Sequence, residues 1–299
     1  MMRRRDLLLG AMPWALRGAE WTRFQVACMT LPYSAFPLQR ALTGIAGAGY
    51  KYVAWGVNHR EADGVSRPAM AADAPAAEAS RLAGRCRDLG LEPVMMFATV
   101  HLEARDALAV HLRRIEQAAA ARIPFLLTFG KTAPGEYETF VGNLRKMAGA
   151  AESAGVTVVV KQHGGNSGTG AACARIVAEV GSRAVKVCYD AGNVLDYENS
   201  DPLPDIAACA KEVRAFAIKD HRNTPRDEDC GPGFGEIDHY KLLRPVLRTG
   251  LDMPLACENI FEPLVPRPAS AEQVDGLARR AREYVETVVR GLMHQERAL

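Results

Sequence analysis

Apolar residues recur along the chain in short continuous runs, separated by stretches where they return every three or four positions. The runs cover 24–31 (FQVACMTL), 50–57 (YKYVAWGV), 92–100 (EPVMMFATV), 124–130 (PFLLTFG), 156–161 (VTVVVK), 184–190 (AVKVCYD), 213–220 (VRAFAIKD) and 253–259 (MPLACEN). Helical spacing predicts helices over 37–49, 77–90, 106–122, 136–154, 171–181, 204–211, 239–249 and 270–294, with Gly90 just past the end of the second, a usual stop signal. Between the second run and the second helix lies a loop rich in Ala, Pro and Asp. Continuous runs, as opposed to alternating ones, indicate parallel strands covered on both faces. Strict alternation of strand and helix indicates an α/β fold. Eight such units predict a (β/α)8 TIM barrel, a single domain over residues 22–299. A doubly wound open sheet is the alternative, but no G-x-G-x-x-G follows the first run.

Composition changes this picture little, except at the N-terminus. The chain has 299 residues, 48% of them hydrophobic and 24% charged, enough apolar material for a barrel core. Its net charge of +2 exerts no general pull on nucleic acid. The seven cysteines include no C-x-x-C, and an odd number argues against a full disulfide framework. Residues 1–21 differ: Arg3, Arg4 and Arg5 precede a short apolar run, "RRRDLLLGAMPWAL". That order resembles a twin-arginine export signal and predicts a periplasmic or exported protein. The alternative is a basic N-terminus on a cytoplasmic protein. No later stretch approaches the ~20 apolar residues of a membrane span.

In a (β/α)8 barrel the chemistry sits where the strands end. The fifth run ends on Lys161, followed by Gln162 and His163. The sixth ends on Asp190, with Asn193 soon after; the seventh on Lys219, Asp220, His221 and Arg222; the eighth on Glu258 and Asn259. The first four runs offer less: Thr30 and Tyr33, Asn58 and His59, Thr99 and His101, then Lys131. Trp55 is a candidate platform for stacking a sugar. The loop 221–240 is long for its place, and loops of that length are usually functional. Within it "GPGFGEID" either turns through positive φ or brings backbone close to a ligand. Glu236 and Asp238 can cap the helix that starts at His239.

These strand ends resemble the xylose-isomerase-like barrel superfamily of sugar isomerases and epimerases. The likeness rests on "CYDAGNV", "FAIKD", "GPGFGEID" and "ACEN". It implies a divalent metal held by Glu, Asp, His and Glu at the ends of strands five to eight, with the glutamates moving a proton beside a carbonyl. Asp190 and Glu258 match that pattern; Lys161 stands at the first Glu position and Ala217 at the His position. An ammonium cannot ligate a cation and would repel one. Lys161 is therefore expected to lie between Asp190 and Glu258 with no cofactor, each carboxylate keeping it charged.

The implied activity is isomerisation or epimerisation of a sugar or keto-sugar. Glu258 would be the base, and Lys161 or His163 would polarise the carbonyl or act as the partner acid. Asp190, Asn193, Lys219, Asp220, His221 and Glu236 would bind substrate. Alternatives are a lyase or hydratase acting on 3-keto-glycosides, a non-catalytic sugar-binding barrel, and a site that keeps one divalent metal (Mn, Mg, Zn or Co) on His163, Asp190, His221 and Glu258. The expected partner is a small carbohydrate, with no nucleic acid, no membrane after export, and a homo-oligomer compatible with the resemblance.

Overall fold

The computed structural model describes residues 20–298; the segment expected to be an export signal lies outside them, apart from its last two residues. Eight parallel strands close into a barrel: β1 (Arg23–Met29), β2 (Tyr52–Trp55), β3 (Glu92–Phe97), β4 (Phe125–Thr128), β5 (Thr157–Lys161), β6 (Val185–Tyr189), β7 (Val213–Ile218) and β8 (Asp252–Cys257). Each pairs with its neighbours in sequence, and β1 closes the ring on β8, from Arg23 opposite Asp252 to Cys28 opposite Cys257.

Successive strand residues point to opposite faces, so the continuous apolar runs build two cores at once. Inside the barrel lie Ala27, Met29, Ala54, Met95, Leu127, Val159, Cys188, Ala215, Ala217 and Ala256. Outside, Cys28, Val53, Met96, Leu126, Val158, Val160, Val187, Phe216 and Leu255 pack under the helices. Those helices include α1 (Leu38–Gly47), α2 (Ala76–Asp88), α3 (Ala107–Ala121), α4 (Tyr137–Ala154) and α5 (Gly170–Val180). All seven cysteines are buried and free, acting as small apolar residues. Trp55 is 1% exposed in the outer core, so it offers no surface for stacking a sugar.

Four elements differ from expectation. A helix, α6 (Ala191–Glu198), begins directly after β6, where a loop was expected. Asp190 is its N-cap, its Oδ1 accepting from the Asn193 amide at 3.0 Å. The helix expected over 204–211 is instead α7 (Pro202–Asp205) followed by 3₁₀ turns. The seventh strand leaves the barrel at Lys219, and Asp220–Arg222 then pairs antiparallel with Glu228–Cys230 in a hairpin over the barrel mouth. The helix expected over 239–249 stops as α8 (His239–Leu243) and becomes a 3₁₀ turn at Arg244–Val246, where Pro245 has no N–H to extend the α-helical ladder. The closing helix is α9 (Ala271–Ala298). A short hairpin, Asn58–Arg60 with Ser66–Pro68, occupies part of the loop after β2. Among the described residues no helix is long and apolar enough to cross a membrane.

Candidate active site

The last residue of β5 and the residues just after β6, β7 and β8 are Lys161, Asp190, Lys219 and Glu258. Lys161 Nζ lies 2.7 and 2.9 Å from the two oxygens of Glu258 and 3.2 Å from Asp190 Oδ2. Its side chain is 5% exposed, Asp190 is fully buried, and the Glu258 side chain is 12% exposed. Burial opposes the lysine's charge, but Glu258 and Asp190 outweigh burial and keep it ionised. Burial pushes the Asp190 carboxyl up to about 6, the Glu258 charge adding to that while Lys219 and Lys161 resist it. Burial acts on Glu258 too, yet the two ammoniums prevail and hold it down at about 2. The expected placement of Lys161 between two carboxylates is the observed one.

A second ammonium stands beside the first pair. Lys219 Nζ meets Asn193 Oδ1 at 2.5 Å and Asp229 Oδ2 at 2.6 Å. Burial again works against its charge and the carboxylates of Asp190, Glu258 and Asp229 overcome it. Lys219 does not pair with Asp220. The Asp220 carboxylate is buried and accepts from the backbone N–H groups of His221, Gly233 and Ile237 at 2.9–3.0 Å. The glycine loop thus wraps a carboxylate of its own chain: a Cβ on Gly235 would come within 2.3 Å of Asp220 Oδ1. Asp220 is not among the residues that line the cavity, and its carboxylate is engaged by the loop.

The other sequence candidates divide in the same way. Asn193 lines the cavity, but its Nδ2 donates to Gln162 O at 2.6 Å and its Oδ1 is held by Lys219. His221 is 1% exposed, with Nδ1 3.1 Å from Asp229 Oδ1 and Nε2 3.2 Å from Asp227 Oδ1. Glu236 is exposed and accepts from the Asn223 amide at 2.9 Å. His163 is half-buried and faces the cavity. Its Nδ1 lies 2.8 Å from Gly130 O. A carbonyl only accepts, so Nδ1 carries the proton and Nε2 keeps its lone pair. Burial lowers the His163 pKa, and Lys161 and His101 lower it further, which favours the neutral ring.

His163 belongs to an aromatic wall that sequence reasoning missed. Its ring centroid is 4.7 Å from Phe129, 5.8 Å from His101 and 5.5 Å from Tyr197. The Phe129 centroid also lies 5.8 Å from Lys161 Nζ. Asp229, Asn259 and Arg267 line the same cavity, which has a volume of about 420 Å³. The length of the 221–240 loop was the one signal pointing toward Asp229. Nothing in the sequence marked Tyr197 or Phe129.

The residues at the strand ends do not fit the divalent metal that the resemblance implies. The place between Asp190 and Glu258 is taken by an ammonium that engages both Glu258 oxygens. The alternative set is not assembled either: His163 points Nδ1 at Gly130, and His221 sits between Asp227 and Asp229. Among the described residues, the one group of three His, Cys, Asp or Glu side chains with ligand atoms inside 4.8 Å is Asp196, His221 and Asp229. There the second Asp229 oxygen is already held by Lys219.

Solved structures share this architecture. A xylose isomerase-like TIM barrel/4-hydroxyphenylpyruvate dioxygenase fusion protein is 21% identical with a TM-score of 0.69; the match covers 92% of this chain and 45% of the fusion, so this chain spans about half of that protein's length. An L-ribulose 3-epimerase is 17% identical with a TM-score of 0.70, over 91% of this chain and 97% of the epimerase. A xylose isomerase-like TIM barrel protein from Mycobacterium smegmatis, solved in complex with magnesium, is 15% identical with a TM-score of 0.67, over 91% and 98%. No curated protein matches the sequence. Residues 43–281 match the family described as Xylose isomerase-like TIM barrel, in keeping with the closed barrel around Lys161 and Glu258, and this chain belongs to that family.

Proposed function

We propose that the protein moves a proton on a carbon next to the carbonyl of a sugar or keto-sugar, as an isomerase or epimerase, and that Lys161 supplies the positive charge that relatives take from a metal. The observation that carries this reading is the ammonium clasped by Glu258 and Asp190 at the wall of a cavity it shares with the free Nε2 of His163. Two of its N–H groups are hydrogen-bonded to the two Glu258 oxygens, while Asp190 Oδ2 at 3.2 Å is an ion-pair contact without a hydrogen bond, so the third N–H is the one for a substrate carbonyl oxygen. As the adjacent C–H bond breaks, its electron pair moves onto that oxygen, and the enolate is met by a fixed charge in a low-dielectric site. A Schiff base at Lys161 is disfavoured, because it needs the neutral amine that both carboxylates oppose.

The base in this reading is His163 and not Glu258. A base works best with a pKa near the working pH. Glu258 is held at about 2. His163 has its pKa below the ordinary histidine value and an open lone pair, so it takes the proton from carbon on Nε2 and returns it to the neighbouring carbon on the same face; inversion at one carbon would be completed by a proton from solvent on the opposite face. Glu258 keeps Lys161 charged and aimed. Tyr197 lines the same cavity, and in this reading its hydroxyl holds a sugar hydroxyl.

The test is deuterium exchange from solvent into D-psicose, L-ribulose and D-fructose, with chelator present. Wild-type protein is expected to exchange the hydrogen beside the carbonyl, with a rate that rises with pH through a value below 6.5 as His163 loses its proton. Lys161→Met and His163→Gln are expected to lower it by about 100-fold or more, the usual scale of an acid–base or charge-stabilising group. Exchange that chelator abolishes, or that survives both substitutions, would overturn the assignment. A 3-keto-glycoside that loses its aglycone at the same site would shift the reaction to elimination from the same enolate. No exchange and no elimination with any of these sugars would leave a binding barrel.

A further inference from the structure

Charged groups on the cavity wall meet opposite charges at close range, with one exception. Lys161 faces Glu258 and Asp190, and Lys219 faces Asp229. Three carboxylates therefore stand against two ammoniums, and the centre has no positive charge to spare. Arg267 also lines the cavity; Asp229 attracts its charge from a distance, but among the described residues its guanidinium has no hydrogen bond and no carboxylate at ion-pair distance.

An exposed arginine without a partner is ordinary when it swings freely in water. Arg267 is instead held. Its guanidinium lies 4.0 Å from the centroid of the Phe261 ring, and Pro266 and Pro268 flank it in the chain. Proline restricts the backbone, and a stacked guanidinium loses less freedom when it binds. The loop beneath is tied to the mouth hairpin on two sides: the Gly231 amide donates to Phe261 O at 2.7 Å, and the Leu264 amide donates to Glu228 Oε1 at 3.0 Å. Beside it, Asn259 uses Oδ1 to accept from the Phe261 amide at 2.9 Å, which leaves its Nδ2 donor group for the cavity that it lines.

We infer that the substrate carries an anionic group, a carboxylate or a phosphate monoester, which Arg267 binds at the cavity mouth with Asn259 beside it while the carbonyl lies at Lys161. The inference rests on the proposed proton transfer for the carbonyl's position, and on the guanidinium that no hydrogen bond or close carboxylate engages for the anion. The fork of a guanidinium suits the two oxygens of either group. The paired centre cannot take over its part, so the preference for an anion depends on Arg267 alone.

The experiment compares binding of D-fructose, D-fructose 6-phosphate and D-fructuronate by calorimetry at low ionic strength. These share one keto-sugar skeleton and differ in the group at the far end. At least one anion is expected to bind about tenfold or more tighter than D-fructose, the scale of one charge-assisted pair. Which anion does so separates a phosphate from a carboxylate ligand. Arg267→Gln is expected to bring the sugars within about twofold of one another. Arg267→Lys should fall between, since it keeps the charge and loses the fork. Equal binding of all three by wild-type protein, failure of both anions to bind, or a preference that survives Arg267→Gln would overturn the inference. His163→Gln separates the two readings: it should keep the anion preference while losing exchange. Exchange without anion preference removes only the role of Arg267, and anion preference without exchange removes only the proposed chemistry.

Discussion

The two halves of the barrel mouth treat buried polar groups in opposite ways. In the first half, they close on near neighbours and are mostly uncharged. Thr30 Oγ1 accepts from the Gly56 amide at 2.9 Å and lies 3.0 Å from His59 Nε2, whose other nitrogen is 3.1 Å from Phe36 O. His111 bridges Ala107 O and Thr128 Oγ1 at 2.7 Å each. The buried Arg114 donates to Gln117 and Thr99. In the second half, charges meet charges from strands far apart in sequence, Lys161 and Glu258 being 97 residues apart, and they border an open cavity. The polar groups of the first half pair mostly with backbone and neutral side chains and are sealed. The groups proposed for chemistry are paired with opposite charges and kept next to open space.

The largest expected effect is at the ammonium. Lys161→Met leaves Asp190 and Glu258 buried without their cation, and should cost about 3–5 kcal/mol in chemical denaturation, as when one partner of a buried pair is removed. Adding Glu258→Gln should recover part of that loss. A cost under about 1 kcal/mol for Lys161→Met would make this half resemble the other. The same position offers a sharper variant. Lys161→Glu places a third carboxylate beside Asp190 and Glu258, and added Mn²⁺ is expected to raise the Tm of this variant by several degrees and leave the wild type unmoved. A matching rise in the wild type would show a cation site independent of Lys161.

The first half should answer to acid. Burial pushes His111 down to about 4, below the ordinary histidine value of 6.5. A lowered folded-state pKa means that the unfolded chain binds the proton first, so this stability is intact above 6.5 and is lost as pH falls toward 4. The loss by pH 4 is about 3 kcal/mol, because each pH unit between the two values is worth roughly 1.4 kcal/mol. His111→Gln should flatten the pH dependence of unfolding over that window; an unchanged curve would mean that acid attacks elsewhere. A smaller effect is expected at the seam between fold and site. Asp220→Asn removes acceptor capacity from the glycine loop and should cost about 1–3 kcal/mol, with faster proteolysis between 221 and 237. Loss of sugar binding with stability intact would instead return Asp220 to the cavity.

Much of this was legible in the sequence. The eight apolar runs lie within a residue or two of the observed strands over most of their length, because a strand buried on both faces must be apolar throughout. The polar residue that ends such a run is equally visible, and so Lys161, Asp190, Lys219 and Glu258 could be named in advance. Asp190 and Asp220 were harder to separate. Both follow a strand, but Asp190 caps α6 while reaching Lys161, and Asp220 is enclosed by backbone N–H groups. The capping signal after Asp190 was present in the chain and was read only as part of a ligand pattern.

What the sequence determined by itself is the barrel, the end of it that carries the polar groups, and the presence of a lysine where a metal-binding glutamate stands in the family pattern. Those follow from periodicity and residue type, which are local properties. Only the tertiary structure decided that Lys161 is clasped by two carboxylates, that Lys219 turns to Asp229 and away from Asp220, that His163 keeps Nε2 free, and that Arg267 has no carboxylate at ion-pair distance among the described residues. Each of these depends on which groups meet across the barrel mouth. Closure of the barrel brings together strand ends and loops that are tens of residues apart, and a buried charge takes the partner nearest in space, whatever lies beside it in the chain.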